Sequence, residues 1–273
     1  MKFSVLMSVY NEEKPEYLKS AISSIINQTI KPNQIVIIED GRLSSELQEI
    51  INEYKKKYKY LIDVYSLEEN CGLGRALQKG IELCKYEYIA RMDTDDVARL
   101  DRFEKQIKVL EENPNLDILG GFIQEYDEKM KNKKSIRKVP LSQQEIYEKI
   151  GKQSPFNHGT VILKKKAVIN VGNYRDCKIE DYDLWIRMVL NSCKMKNISE
   201  ILVNYRTSYT MYKRRTGLKY LKSIKKIEKQ LLEKKLITKR QYNKNILLRG
   251  ILAIIPAFMK IYLYPYMRKK YNI

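Results

Sequence analysis

The sequence predicts an α/β protein: a mostly parallel central sheet flanked by helices, followed by a basic helical appendage. Three observations carry that expectation. Apolar runs long enough for buried strands alternate with segments of 3.6-residue periodicity over the first 100 residues. Polar or glycine-bearing loops close those runs at their carboxyl ends, where ligands of open α/β sheets gather. The charge is also divided unevenly: of a formal net charge of +19 on 273 residues, the stretch from Met211 onward carries +16, with 18 Lys and Arg against Glu228 and Glu233 alone. The first 210 residues therefore hold only +3.

Taken in order, Phe3 to Val9 reads as strand one, and Asn11-Glu12-Glu13-Lys14-Pro15 as a polar loop. A helix from Glu16 to Gln28 follows, with Leu18, Ala21, Ile22, Ile25 and Ile26 on one stripe. Gln34 to Ile38 is a second buried strand ended by Glu39-Asp40-Gly41; Ser44 to Tyr58 is helical; Leu61 to Tyr65 is a third strand. Asn70-Cys71-Gly72-Leu73-Gly74-Arg75 then leads into a helix ending near Cys84, and Glu87 to Met92 is a further strand. The expected organisation is a catalytic domain over 1–210, with a nucleotide-binding half of about 1–100 and an acceptor half of 101–210, and a tail over 211–273.

Composition narrows the function. With 44% hydrophobic and 10% aromatic residues the chain has ample material for a core. A near-neutral body with a basic end argues against a nucleic-acid-binding protein and for a catalytic domain with an anchor for an anionic surface. Cys71, Cys84, Cys177 and Cys193 have no CxxC spacing, and with one histidine a structural zinc site is hard to assemble. They read as reduced thiols of a cytosolic protein. The apolar run at Met1 to Tyr10 is too short for a signal peptide.

Asp93-Thr94-Asp95-Asp96, at the end of the Glu87–Met92 strand, is the most informative motif. Three carboxylates in four residues repel one another unless a cation neutralises them. Mg²⁺ or Mn²⁺ binds one or two protein carboxylates and completes its octahedron with water and phosphate oxygens, so the turn suits a metal–diphosphate site. As a Ca²⁺ loop, Asp93, Asp95 and Glu104 fall at positions 1, 3 and 12, but Val97 cannot ligate and Ala98 replaces the required glycine. A solvated acidic turn without a ligand is the other alternative.

Five blocks, in order, carry a family resemblance: Phe3 to Asn11, Ser24 to Thr29, Ile35 to Gly41, Asn70 to Gly74 and Ala90 to Asp96. They resemble the characteristic motifs of family-2 inverting glycosyltransferases. Phe156 to Val161 and Glu180 to Arg187 look like the acceptor-side blocks of the same family, in its amylovoran- and capsule-type branch. The resemblance implies a GT-A fold, a metal-binding Asp-x-Asp turn, and a general base from the acidic pair Glu180-Asp181; Asp181 is taken as the base, with Glu180 as the alternative.

Transfer of a sugar with inversion requires a pocket for the nucleoside, a metal on the leaving diphosphate, and a carboxylate to deprotonate the acceptor hydroxyl. Tyr10, beside Asn11 at the first strand end, can stack on a pyrimidine, and Asp40 can accept a base N–H. A core-lining tyrosine and an ordinary turn aspartate are the plain alternatives. Gly72 permits close backbone approach to donor, with Arg75 a phosphate partner. This loop is not a dinucleotide fingerprint, because Leu77 stands where the third glycine belongs. Asp93 and Asp95 fall on one side of an extended segment and face the nucleotide, and Asp96 turns away or adds a third ligand. His158 can touch metal, phosphates or acceptor. The plain reading of Glu180-Asp181 is a charged helix start, worth roughly 0.3–1 kcal/mol.

In the tail, Lys219 to Lys235 reads as a basic helix with Tyr220, Leu221, Ile224, Ile227, Leu231 and Leu232 on a mixed amphipathic face. Ile246 to Met267 is apolar but broken by Arg249, Pro256 and Lys260, too short between charges for the ~20 residues of a membrane span. With Tyr262, Tyr264, Tyr266 and Arg268-Lys269-Lys270 it suits the headgroup region of an anionic leaflet; packing on protein is the alternative.

The resulting expectation is an inverting, metal-dependent transferase moving a sugar from a nucleotide-sugar donor, UDP-linked, to a saccharide or lipid-linked saccharide acceptor in surface polysaccharide synthesis, peripheral on the cytoplasmic face of the plasma membrane. The competing classes are a non-catalytic nucleotide-sugar or lipid-surface binding module and a metal-dependent nucleotidyltransferase; the latter lacks an early basic glycine-rich signature.

Overall fold

The computed structural model describes residues 1–214, 216–256, 258–260 and 263. Tyr262, Tyr264, Tyr266 and the Arg268-Lys269-Lys270 cluster lie outside the described residues.

The first half alternates as the periodicity requires: β1 (Phe3–Val9), α1 (Pro15–Ile26), β2 (Gln34–Glu39), α2 (Ser45–Lys57), β3 (Ile62–Ser66), α3 (Leu73–Leu83) and β4 (Tyr88–Arg91). β3, β2, β1 and β4 lie side by side and parallel. Their unbroken apolar runs reflect burial on both faces. Val5, Met7 and Val9 point into one core cluster with Leu18, Ile22 and Ile25 of α1, while Leu6 points into the other with Ala76, Leu77 and Ile81 of α3. Pro15 occupies the first turn of α1, where its missing N–H costs nothing, so the helix starts one residue before Glu16. The Ser44 hydroxyl accepts from the Leu47 N–H and caps α2.

Beyond β4 come β5 (Val97–Ala98), α4 (Arg102–Glu112), β6 (Ile118–Tyr126), β7 (Lys133–Arg137), α5 (Gln143–Lys149), a 3₁₀ turn (His158–Thr160), β8 (Ile162–Lys164), α6 (Lys165–Asn170), α7 (Glu180–Leu190) and β9 (Met195–Arg206). Among the described residues they extend the sheet to nine strands in the order β3-β2-β1-β4-β8-β6-β9-β5, with β7 beside β6. The parallel character ends at β4, since β8 runs antiparallel to both β4 and β6, whereas β6 and β9 are parallel. One sheet thus carries the acidic turn after β4 and the chain leading to α7.

The tail forms α8 (Tyr209–Arg214), α9 (Gly217–Glu233) and α10 (Lys239–Ile254). Ile227 and Leu231 of α9 join the core cluster containing Leu184, Trp185 and Met188 of α7. That stripe is therefore seated on the catalytic domain, as in the packing alternative. Glu228, fully buried, is held by Arg249 (Nε–Oε1 3.1 Å) and Asn245 (Nδ2–Oε2 2.9 Å) of α10. The arginine that interrupts the apolar run is thus the partner of a buried carboxylate. Among the described residues no helix is long and apolar enough to cross a membrane.

Candidate active site

The acidic turn is anchored from three sides. Asp96 is fully buried, and its Oδ1 accepts the Arg206 backbone N–H at 2.7 Å. Arg206 Nε donates to the Asp95 carbonyl at 2.7 Å while its guanidinium lies 3.7 Å over the Tyr17 ring. The Thr94 hydroxyl donates to Glu13 Oε2 at 2.6 Å, tying the turn to the loop after β1. Asp96 Oδ2 is left buried without a hydrogen-bond partner. A Cβ on Gly159 would come 2.9 Å from Asp93 Oδ2 and 3.7 Å from Asp96 Oδ2, so glycine keeps open the space these two oxygens border. Burial and the charges of Asp93 and Glu13 push Asp95 up to about 7; Asp96 is raised well above the carboxylate range by burial, Asp95 and Asp93.

Arg91, buried at the end of β4, joins this turn to Tyr174 and the start of α7. Its Nη1 pairs with Asp93 Oδ1. Burial opposes its charge, but Asp93, Tyr174 and Glu180 outweigh that and raise its pKa. The His158 Nε2 and the Tyr174 hydroxyl are hydrogen-bonded at 2.9 Å, and the imidazole packs on Trp185 of α7 with ring centroids 6.0 Å apart. Burial and nearby Arg91 keep this imidazole neutral, its pKa well below the usual value. Glu180 and Asp181 are the first two residues of α7. The fold brings them to the same cluster as Arg91, Asp93 and Tyr174. Burial and adjacent Asp181 raise Glu180 to about 7, and Asp181 Oδ1 accepts the Tyr182 N–H at 2.7 Å.

The expected four-residue metal set is not assembled as such. Among the described residues no three His, Cys, Asp or Glu side chains gather as a metal site, and the His158 Nε2 is engaged by Tyr174. Two carboxylates suffice for Mg²⁺ or Mn²⁺ when phosphates and water complete the shell.

At the carboxyl end of β1, Tyr10 directly follows the strand and is half-buried, and Asn11 is exposed. Asp40 has a structural task that the sequence reading did not assign. Its Oδ1 accepts the Cys71 N–H at 2.7 Å and its Oδ2 the Gly72 N–H at 3.0 Å, clamping the loop before α3. Gly72 has φ +87°, a conformation that side chains resist. Arg75 Nε pairs with Asp176 Oδ2 at 3.0 Å. Both side chains are more than half exposed, so the pair is worth little.

The residues missed from sequence are Glu13, Arg91, Tyr174 and Arg206. Arg91 had a local signal, a lone cation between Ala90 and Met92 in an otherwise apolar strand. Arg206 reaches Asp96 across 110 residues of chain, beyond any local pattern.

The raised carboxyls give a stability prediction. Where the unfolded chain is ionised and the folded Asp95 and Glu180 still hold protons, the folded state binds more protons, so metal-free stability falls as pH rises from the ordinary carboxylate range toward about 7. Melting curves in EDTA should show Tm declining from about pH 5 to about pH 8, with added Mn²⁺ raising Tm more at the higher pH. A Tm that rises over this range without metal contradicts the assigned environments.

Parallel strands whose carboxyl ends carry a clamped glycine loop and an acidic turn, joined to a mixed half that returns two carboxylates to that turn, define a GT-A glycosyltransferase. The chain belongs to glycosyl transferase family 2, whose model it matches over residues 4–172. It is 35% identical over 265 residues to the Escherichia coli UDP-Gal:alpha-D-GlcNAc-diphosphoundecaprenol beta-1,3-galactosyltransferase, covering 96% of this chain and 95% of that one. It is also 35% identical over 272 residues to the amylovoran biosynthesis glycosyltransferase AmsE of Erwinia amylovora, covering 98% and 99%. S. aureus TarS 1-349 in complex with UDP is similar in fold, with a TM-score of 0.64 at 18% identity over 90% of this chain and 70% of that one; this chain spans 42% of the longer TarS chain. The mannosyltransferase PcManGT of Pyrobaculum calidifontis, in complex with GDP-Man and Mn²⁺, has a TM-score of 0.64 at 10% identity, covering 98% and 80%.

Proposed function

We propose that the protein transfers a sugar, with inversion, from a UDP-sugar to a lipid-linked saccharide in surface polysaccharide synthesis, at the cytoplasmic face of the membrane. The placement of Glu180 and Asp181 in one cluster with Asp93, around Arg91, carries this reading. It puts a proton acceptor beside the diphosphate site and leaves no need for a protein nucleophile. The name of the Escherichia coli relative supplies the UDP-linked donor and the lipid-linked acceptor, and that of AmsE supplies polysaccharide synthesis.

In this reading Tyr10 and Asn11 border the nucleoside. Asp40 positions the Gly72 loop through its two N–H bonds and keeps lone pairs for a base N–H. Asp93 and Asp95 hold Mn²⁺ or Mg²⁺ on the diphosphate, with Asp96 bordering the site. The buried, unpaired Asp96 Oδ2 and the open space opposite Gly159 support that fit. Bound metal supplies Lewis-acid stabilisation of charge on the leaving nucleotide. Arg91 offsets the repulsion between Asp93 and Glu180, and His158 orients Tyr174. Asp181 takes the acceptor proton, with Glu180 adjusting its basicity. Release of UDP from several UDP- and GDP-sugars, with and without Mn²⁺, tests the donor assignment. Metal-independent release, or a preference for GDP-sugars, would sink it.

Membrane association is assigned to α10. Leu247, Leu248, Ile251 and Ile254, with Phe258 and Met259 just beyond, stay exposed while the opposite side packs on α9. The surrounding basic charge favours an anionic leaflet. The double variant Ile254→Asp/Phe258→Asp should lose cosedimentation with anionic vesicles. Recovery equal to wild type would show that this face does not contact lipid.

A further inference from the structure

A cavity of about 600 Å³ lies between the loop before α7 and helix α9, lined by Arg175, Lys178, Ile179, Lys226, Ile227 and Lys229 among others. Its three acidic lining residues already have partners. Asp176 pairs with Arg75 (3.0 Å), Asp183 with Arg187 (2.8 Å) and Glu233 with Lys229 (3.5 Å). Arg175, Lys178 and Lys226 have no carboxylate within ion-pair distance among the described residues. The cavity therefore holds uncompensated positive charge over an apolar floor of Ile179 and buried Ile227.

We infer that this cavity binds the diphosphate of the acceptor, a second anion site distinct from the donor's; the inference rests on the lipid-linked acceptor named above. Position supports it. Ile179 lines the cavity and Glu180 follows it directly, with its carboxylate near Arg91 and Asp93. Lys178 stands two residues before Glu180, at most about 7 Å along the chain. In a saccharide diphosphate the reacting hydroxyl and the diphosphate sit on opposite sides of one sugar ring. Such a molecule, with its phosphates among the lysines, presents its far hydroxyl toward Glu180 and Asp181. Within the loop, the Cys177 N–H donates to the Arg175 carbonyl (2.9 Å), a turn that sets Arg175 and Lys178 at the cavity. Ammonium and guanidinium groups around a compact cavity are the donors a diphosphate requires.

Calorimetric titration of the full chain in EDTA, which silences the metal site, tests this with inorganic pyrophosphate and dodecyl diphosphate as probes. Wild-type protein is expected to bind both, dodecyl diphosphate more tightly. Lys178→Ala/Lys226→Ala should weaken both by ~10-fold or more, with metal-dependent UDP affinity retained as the sign of an intact fold. If that variant loses UDP binding as well, Lys226→Glu on the exposed side of α9 decides, and it too should weaken both probes. Unchanged probe affinity in the folded variant would overturn the site. Equal wild-type affinity for the two probes would overturn its assignment to a lipid-linked molecule. Binding of dodecyl diphosphate through these lysines without any metal-dependent UDP affinity would leave the site standing and reject the donor reading instead.

Discussion

Asp95→Asn is expected to abolish metal-dependent UDP binding while leaving the fold intact. Burial, with the charges of Asp93 and Glu13, raises the pKa of this side chain to about 7 in the metal-free protein. That environment disfavours a lone negative charge and favours one shared with a divalent cation. The amide removes the charge but keeps the shape, and the backbone bond from Arg206 to the Asp95 carbonyl does not depend on the side chain. Calorimetric titration with UDP and Mn²⁺ should show binding in wild type and none in the variant, with urea unfolding midpoints close together. Retained metal-dependent affinity would remove Asp95 from the ligand set.

Asp181→Asn is expected to keep UDP affinity and lower turnover by ~10²–10⁴-fold, the usual contribution of a positioned general base. Asp181 is adjacent to Glu180 at the start of α7, and burial with the Asp181 charge raises Glu180 to about 7, so wild-type turnover should rise with pH through about 7 as Glu180 ionises beside the base. The Asn side chain can still accept the Tyr182 N–H that Asp181 Oδ1 accepts, which separates loss of the base from loss of the helix start. Near wild-type turnover in Asp181→Asn, together with loss in Glu180→Gln, would transfer the role to Glu180.

Local pattern carried the first half of the molecule well. The stripe Leu18, Ala21, Ile22, Ile25 and Ile26 is the buried face of α1, and the continuous apolar runs are the parallel strands. The acidic turn and the Glu180-Asp181 pair were legible because charge clusters at element ends are written in consecutive residues. What could not be read depends on chain separation. That Asp40 clamps the backbone of Cys71 and Gly72 depends on β2 lying beside β3, and that His158 meets Tyr174 and Arg206 anchors Asp96 depends on how the chain returns through β8 and β9, which no local periodicity encodes. The tail leaves two readings open for a related reason. An amphipathic stripe has the same pattern whether it faces lipid or protein, and only the contact of Ile227 and Leu231 with the α7 cluster distinguishes the two.

That contact has a mechanical consequence. Because α9 completes the core beneath α7, and buried Glu228 fastens α10 to α9, a force applied to α10 is transmitted to the start of α7 through packed side chains and not through a slack tether. Whatever α10 rests on fixes the height and tilt of Glu180 and Asp181 above it. The appendage would then act as a mounting that selects acceptors by how far their reactive hydroxyl stands from that surface.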